Sequence, residues 1–161
     1  MSSSETGEPA LTHLDARGRA RMVDVAHKPP RVRRAVAEGH IRVSEKAIAA
    51  LLEGRTPKGD VAALARASAI LAAKRTPELV LLAHPLPLTS VAVDISVDRE
   101  ARDIRVEVTV QTTARTGVEM EALTAVSVAA LNVYDMLKGI DPAQQIGGIR
   151  LVEKVKGAVE G

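Results

Sequence analysis

The chain has 161 residues, 46% of them hydrophobic and 26% charged, with a formal net charge of +2. This length and composition fit one ordinary domain with a large aliphatic core. A single aromatic residue and so small a charge argue against nucleic-acid binding through stacked bases or a polybasic surface. The absence of cysteine excludes disulfides, thiolate nucleophiles and cysteine-ligated zinc.

Along the chain, we predict a disordered leader over residues 1–10, a single domain over 11–156 and a tail over 157–161. No apolar run of about 18 residues is free of charge, and no signal peptide opens the sequence. We therefore expect a soluble cytoplasmic protein that has neither a membrane nor a nucleic acid as its partner.

The first half of the domain predicts a strand followed by two helices. "RARMVDV" is a short extended piece, and "RVRRAVAEGHIRVS" has strand-like parts that Gly39 interrupts. Ser44 is a good N-cap for a helix over "EKAIAALLEG", with Gly54 just past its end, and Asp60 is one for "VAALARASAILAAKR". We expect Pro77 to end this helical region.

The second half predicts a hairpin, a long helix and a last strand. "LVLLAHPLPL" is apolar but split by two prolines, which favours a strand or turn over a helix. "TSVAVDISVD" and "RDIRVEVTVQTT" alternate at period two around "REAR", a hairpin pattern. A helix follows over most of 115–140, and "IGGIRLVEKVK" is the last strand.

This order of elements predicts a ferredoxin-like α+β fold, in which an antiparallel sheet carries its helices on one face. The helices are rich in Ala and Val on several sides. One layer of such helices leaves apolar surface uncovered, so we expect the chain to form oligomers.

The long helix carries charged residues among aliphatic ones. Thr116 and Glu119 have the spacing of a capping box, in which the hydroxyl caps the helix and the carboxylate returns to the cap. Glu121, Asp135 and Lys138 fall along one stripe of the helix. This stripe is either a solvated surface with an ordinary Asp–Lys pair, or one wall of a polar cleft that holds acid–base groups.

Histidines and cations supply the remaining candidates. Two prolines follow closely after His84 and would present its imidazole rigidly, although a lone buried histidine is more often structural. The other histidines match no metal-binding spacing, so we expect no dedicated metal site. Five cations could together neutralise a polyphosphate, although no P-loop or GxGxxG pattern is present; they are Lys58, Lys74, Arg115, Lys138 and Lys154.

Several segments taken together resemble one family. "RMVDV", "KGD", "AAKRT", "HPLPLT", "RTGVEMEALTAVSVAAL" and "YDMLK" occur in this order in the cyclic pyranopterin monophosphate synthases, the MoaC family of molybdenum-cofactor biosynthesis. The resemblance covers about residues 11–154, which is almost the whole chain.

The resemblance implies a ferredoxin-like homohexamer, a trimer of dimers, with active sites between subunits. It implies a lyase that converts 3′,8-cyclo-7,8-dihydroguanosine 5′-triphosphate, here called cyclised dihydro-GTP, to cyclic pyranopterin monophosphate and pyrophosphate. No resident cofactor is expected, although a divalent cation could accompany the triphosphate.

The same resemblance implies the site residues. Asp135, Lys138 and Lys58 match catalytic positions, and we expect Lys58 as general acid and Lys138, oriented by Asp135, as general base of lowered pKa. The positions that match the substrate pocket are Leu82, Ala83, His84, Glu119, Met120 and Glu121, with Asp24, Lys74, Arg115 and Lys154 as further lining residues.

Two departures from the family pattern leave an alternative open. Ala83 stands where the family commonly has cysteine, and "LVEKVKGAVEG" replaces the usual Gly/Lys-rich ending, so a phosphate-binding lysine is either missing or replaced by Lys156. The alternative is a divergent, non-catalytic nucleotide-binding or assembly protein on the same scaffold. Against it stand Lys58, Asp135 and Lys138, which simple binding does not need.

Overall fold

The computed structural model describes residues 13–158, so the predicted leader and residues 159–161 of the predicted tail lie outside the described residues. In chain order the elements are β1 (Arg31–Arg42), α1 (Glu45–Leu52), α2 (Val61–Lys74), α3 (Thr76–Leu79), β2 (Leu88–Asp98), β3 (Asp103–Ala114), α4 (Glu119–Leu137) and β4 (Gln145–Gly157).

The four strands form one antiparallel sheet in the order β2-β3-β1-β4. Helices α2 and α4 pack side by side against it; α4 contacts β1, β3 and β4, and α2 contacts β2. This arrangement confirms the predicted ferredoxin-like α+β fold. It also brings the N-terminal end of α4 close to the start of β1 and the end of β4.

Side-chain caps start the first two helices where the sequence predicted. Ser44 Oγ accepts a hydrogen bond from the Ala47 amide at 3.3 Å, and Asp60 Oδ1 accepts one from the Ala63 amide at 2.9 Å. In each case the side-chain oxygen caps an amide of the first helical turn. α2 ends at Lys74, and Pro77 lies in the first turn of the short helix α3, where its missing amide costs nothing.

Gly39 does not interrupt β1, contrary to the prediction, because its place in the strand is a point of close packing. A Cβ atom there would lie 2.6 Å from Val126 Cγ1 of α4 and 3.1 Å from Ile149 Cγ1 of β4. The pairing of β1 with β4 shifts register between Glu38 and His40, so the irregularity falls in the partner strand. Gly39 therefore lets α4 approach the sheet closely.

α4 is the core helix of the domain. By length and composition alone its 19 residues could cross a membrane, but half of its most apolar window is buried inside the fold. It packs on the alternating apolar residues of β3, which are fully buried; these are Ile104, Val106, Val108 and Val110. The charged residues that the sequence singled out lie at its two ends.

Candidate functional site

Six of the predicted pocket residues line one cavity of about 330 Å³ beside the N-terminal end of α4. Leu82, Ala83 and His84 come from a turn after α3, in which the Ala83 amide donates to the Val80 carbonyl at 3.0 Å. Glu119, Met120 and Glu121 come from the first turn of α4.

The N-terminal segment forms a wall of this cavity, although the only residue of it that the sequence predicted there was Asp24. His13, Val23, Val25 and Lys28 line it, in a stretch where Leu14 and Ala20 form an isolated bridge and which does not join the sheet. Asp24 does not line the cavity; its Oδ1 accepts a hydrogen bond from the Ala26 amide at 2.9 Å. The clue in the sequence was the "MVDV" motif, whose valines rather than its aspartate face the space.

The imidazole of His84 is held by this same wall. Its Nε2 lies 2.8 Å from the carbonyl oxygen of Val23. Because a carbonyl oxygen only accepts hydrogen bonds, Nε2 is the donor. His84 thus links the N-terminal segment to the cavity.

Glu121 is the most buried charged residue of the cavity, with 3% of its surface exposed. Burial raises the pKa of its carboxyl, and the nearby Glu119 carboxylate raises it further. The carboxyl of Glu121 is therefore more readily protonated than that of an exposed glutamate. It can act as a hydrogen-bond donor to a bound group under conditions where ordinary glutamates only accept.

The predicted capping box is wrong. The N-cap of α4 is Val118, with no side-chain cap, and the hydroxyl of Thr116 donates to the Gly117 carbonyl at 3.4 Å instead. The Glu119 carboxylate folds back over Gly117, into the space that a Cβ atom there would need, and faces Lys154 Nζ at 3.5 Å. The helix thus begins later than the box requires, and Glu119 is directed into the site.

A second cluster lies at the other end of α4. Asp135 accepts one hydrogen bond from Lys58 Nζ at 2.5 Å and makes an ion pair with Lys138 Nζ at 2.7 Å. Lys58 comes from a tight turn in which the Gly59 amide donates to the Thr56 carbonyl and Gly59 has a φ of 92°. Each of the three side chains is about half exposed.

The charges in this cluster shift the pKa values of its members. The hydrogen bond from Lys138, followed by that from Lys58, lowers the pKa of Asp135 to about 2. The same carboxylate raises the pKa of Lys138. This direction is opposite to the lowered lysine pKa that we expected, because the dominant neighbour of Lys138 is an anion rather than another cation.

The two clusters are separate within one chain. Glu121 and Asp135 are about 21 Å apart along the helix, at 1.5 Å per residue. The stripe interpretation is therefore only half right: Glu121 is buried in a cavity wall, whereas Asp135 and Lys138 are exposed. A single chain does not place the lysines beside the cavity.

The other predicted cations are also dispersed. Arg115 Nε donates to the Lys28 carbonyl at 2.9 Å, at the edge of the cavity, and Lys154 lies beside Glu119. Lys74 is the exposed last residue of α2 and lines none of these features. Across residues 13–158, no group of three or more His, Asp or Glu side chains is arranged to hold a metal ion.

Comparison with known proteins gives a consistent result. The MoaC family model matches residues 22–157. Several proteins named cyclic pyranopterin monophosphate synthase are similar to this chain over 147 residues, which is 91% of its length. The protein from Thermomicrobium roseum is 55% identical, and the match covers 89% of that protein. The protein from Roseiflexus sp. is 56% identical, and the match covers 93% of it. A third, from Nostoc sp., is 52% identical over 88% of its length. The chain therefore belongs to the MoaC family.

Proposed function

We propose that this chain converts cyclised dihydro-GTP to cyclic pyranopterin monophosphate and pyrophosphate, a lyase reaction in molybdenum-cofactor biosynthesis. One observation carries the proposal. The "HPLPLT" and "TGVEME" segments, which are distant in sequence, line the same cavity. The relatives that match 91% of this chain are named cyclic pyranopterin monophosphate synthase.

The cavity suits the ring system of such a substrate. Its volume of about 330 Å³ lies at the lower end of the range for small-molecule pockets. Leu82, Leu86 and Met120 supply apolar walls, while His84 and Glu121 supply polar groups. Because Glu121 is buried, a hydrogen bond from its carboxyl to a polar ring edge would be strong and orienting.

The reaction needs proton transfer and charge neutralisation. Opening the purine-derived ring requires one proton delivered and another removed, and attack of a ribose hydroxyl on the α-phosphate expels pyrophosphate. We assign Lys58 as general acid and Lys138 as general base. Since its pair with Asp135 raises the pKa of Lys138, the base role requires substrate binding to weaken that pair.

A homohexamer, arranged as a trimer of dimers, would unite the two clusters. The lysine cluster and the cavity lie at opposite ends of α4, so a neighbouring subunit would have to bring Lys58, Asp135 and Lys138 to the cavity. Exposed leucines on the helical layer support such an assembly; they include Leu64, Leu71 and Leu131. In the single chain, about half of the surface of each of these side chains is exposed to solvent.

We further propose a cytoplasmic enzyme without a resident cofactor, whose triphosphate substrate could carry a divalent cation. Membranes and nucleic acids are not proposed as partners. The non-catalytic alternative gains no support, since relatives with at least 50% identity are named as synthases.

The direct test is incubation of the purified protein with cyclised dihydro-GTP, with pyranopterin measured by fluorescence after oxidation and pyrophosphate by a coupled assay. Formation of both products in equal amounts supports the proposal. Tight substrate binding with neither product formed would favour the non-catalytic alternative.

A further inference from the structure

The N-terminal segment, residues 13–28 and here called the strap, lines the cavity without joining the helices or the sheet. Within the described part of the chain, its backbone-to-backbone hydrogen bonds all join two of its own residues. The Arg21 amide donates to the His13 carbonyl at 2.8 Å, and the Lys28 amide donates to the Val25 carbonyl at 3.0 Å. The strap is therefore a folded unit of its own, and no ladder of hydrogen bonds fixes it to the sheet.

The strap keeps its shape through Asp15. The carboxylate of this residue accepts hydrogen bonds from the Arg17 amide at 2.8 Å, from the Arg19 amide at 3.0 Å and from Arg19 Nε at 2.8 Å. Every residue of the strap is either exposed or half-buried, and Val23 and Val25 are its half-buried apolar residues. A segment with so few buried contacts separates from the rest of a fold at a low cost in free energy.

Two side chains from the other walls of the cavity attach the strap. His84 Nε2 donates to the Val23 carbonyl at 2.8 Å, and Arg115 Nε donates to the Lys28 carbonyl at 2.9 Å. Across residues 13–158, no other hydrogen bond or ion pair joins the strap to the rest of the domain. Two prolines, which have no amide to donate, then connect it to β1. The attachment therefore depends on two bonds that can break while strap and sheet each stay folded.

We propose that the strap is a movable wall, which opens to admit the rings of the substrate and closes over them. His84 and Arg115 are positioning residues that hold it closed. The inference rests on the proposed function for the identity of the ligand, and it deepens that function. Rings bound against Val23 and Val25 make contacts that exist only in the closed form, so binding shifts the strap towards closure.

The first test measures the motion of the strap without any ligand. Because the chain has no cysteine, Met22→Cys provides a single site for a nitroxide spin label, at a half-exposed position of the strap. The electron paramagnetic resonance spectrum then separates mobile from immobile label. Lys46→Cys, at an exposed position on α1, is the matched control, and its spectrum should stay constant throughout.

Loss of either attachment should free the label. Arg115→Met removes the donor but keeps a long aliphatic side chain, and His84→Phe removes the donor but keeps a ring. Each change should raise the ratio of mobile to immobile label about 3- to 10-fold, the effect of losing one hydrogen bond. Since no ligand is present, a direct contact of either residue with the substrate does not contribute. Melting curves verify that each variant is folded.

The second test adds the ligand. Cyclised dihydro-GTP is given to the Lys58→Ala variant, in which turnover should be blocked, and calorimetry measures its binding. The bound substrate should lower the mobile fraction of the label on the strap. Unchanged label mobility in both Arg115→Met and His84→Phe would overturn the proposal, and so would substrate binding that leaves the mobile fraction unchanged.

Activity measurements separate this inference from the proposed function. If the unmodified protein forms pyranopterin while the label is equally immobile in every variant, the strap is a fixed wall and the function stands. If the two variants free the strap, but cyclised dihydro-GTP does not bind and no pyranopterin forms, the movable wall is supported and the proposed reaction is contradicted.

Discussion

Lys58 and Asp135 are 77 positions apart in sequence, yet Lys58 Nζ donates to Asp135 Oδ2 at 2.5 Å. The contact joins the turn before α2 to the last turns of α4, and Lys138 contacts the other oxygen of the same carboxylate. Because all three side chains are about half exposed, this contact contributes little to the stability of the fold. The proposed proton-transfer role of the two lysines rests on this arrangement of two ammonium groups around one carboxylate.

Replacing either lysine by alanine should impair turnover more than binding. Loss of a proton-transfer group lowers kcat by about 10²- to 10⁴-fold. Lys58→Arg and Lys138→Arg should not restore kcat, because a guanidinium does not give up its proton near neutral pH. Single-turnover kinetics at saturating substrate, with Lys46→Ala as the surface-lysine control, measure this. Normal turnover of the variants at saturating substrate would indicate that both lysines contribute only to substrate binding.

Glu121 should make the fold less stable as the pH rises. Its folded-state pKa is raised above the ordinary value of 4.5, so the folded protein holds the proton more firmly than the unfolded chain. Stability is therefore lost as pH increases through the interval above 4.5. Glu121→Gln removes this dependence. The melting temperature of the variant, relative to that of the unmodified protein, should therefore increase from pH 4 to pH 8. A constant difference across this range would contradict the burial argument.

Glu38 should show the opposite pH dependence. Its carboxylate is 6% exposed and accepts hydrogen bonds from Arg105 Nε and Arg150 Nε, each at 2.8 Å. The bond from Arg105 lowers the pKa of Glu38 most, so its stabilisation is present at neutral pH and lost as the pH falls below 4.5. Glu38→Gln should cost about 1–2 kcal/mol at pH 7. Urea unfolding at pH 7 and pH 4 should show this cost shrinking with acid.

Gly39→Ala should destabilise the domain through a single steric contact. The new Cβ would lie 2.6 Å from Val126 Cγ1, and overpacking of this kind costs about 1–3 kcal/mol. In a Val126→Ala background the same change should cost less, which a double-mutant cycle in urea measures. Gly147→Ala is the matched control, because a Cβ there meets no atom within 4 Å. Equal costs in both backgrounds would place the strain elsewhere.

Local rules predicted most of the fold. The alternation of β2 and β3, and the caps Ser44 and Asp60, depend on neighbouring residues and were confirmed. The predicted capping box of Thr116 and Glu119 failed because its spacing says nothing about the backbone at Gly117, where the carboxylate folds back.

The site was less predictable because its contacts are long-range. Motif resemblance selected His84 and Glu121, but their sharing of a cavity with Val23 depends on tertiary folding. Helical periodicity placed Glu121 and Asp135 on one stripe without giving their burial, which depends on what packs against each end of α4. The raised pKa of Lys138 likewise follows from its contact with Asp135 and not from the number of cations in the sequence.

The most direct test of the account is complementation between subunits. Lys58→Ala damages the lysine cluster, and Glu121→Gln damages the cavity. If each variant is inactive alone, a mixture of the two with verified subunit exchange should regain activity. An equal mixture restores about a quarter of the sites, those that take lysines from one variant and a cavity from the other. Lys58→Ala mixed with Lys138→Ala should regain none, because both changes damage the same cluster. Recovery in the second mixture, or none in the first, would contradict a site built from two chains.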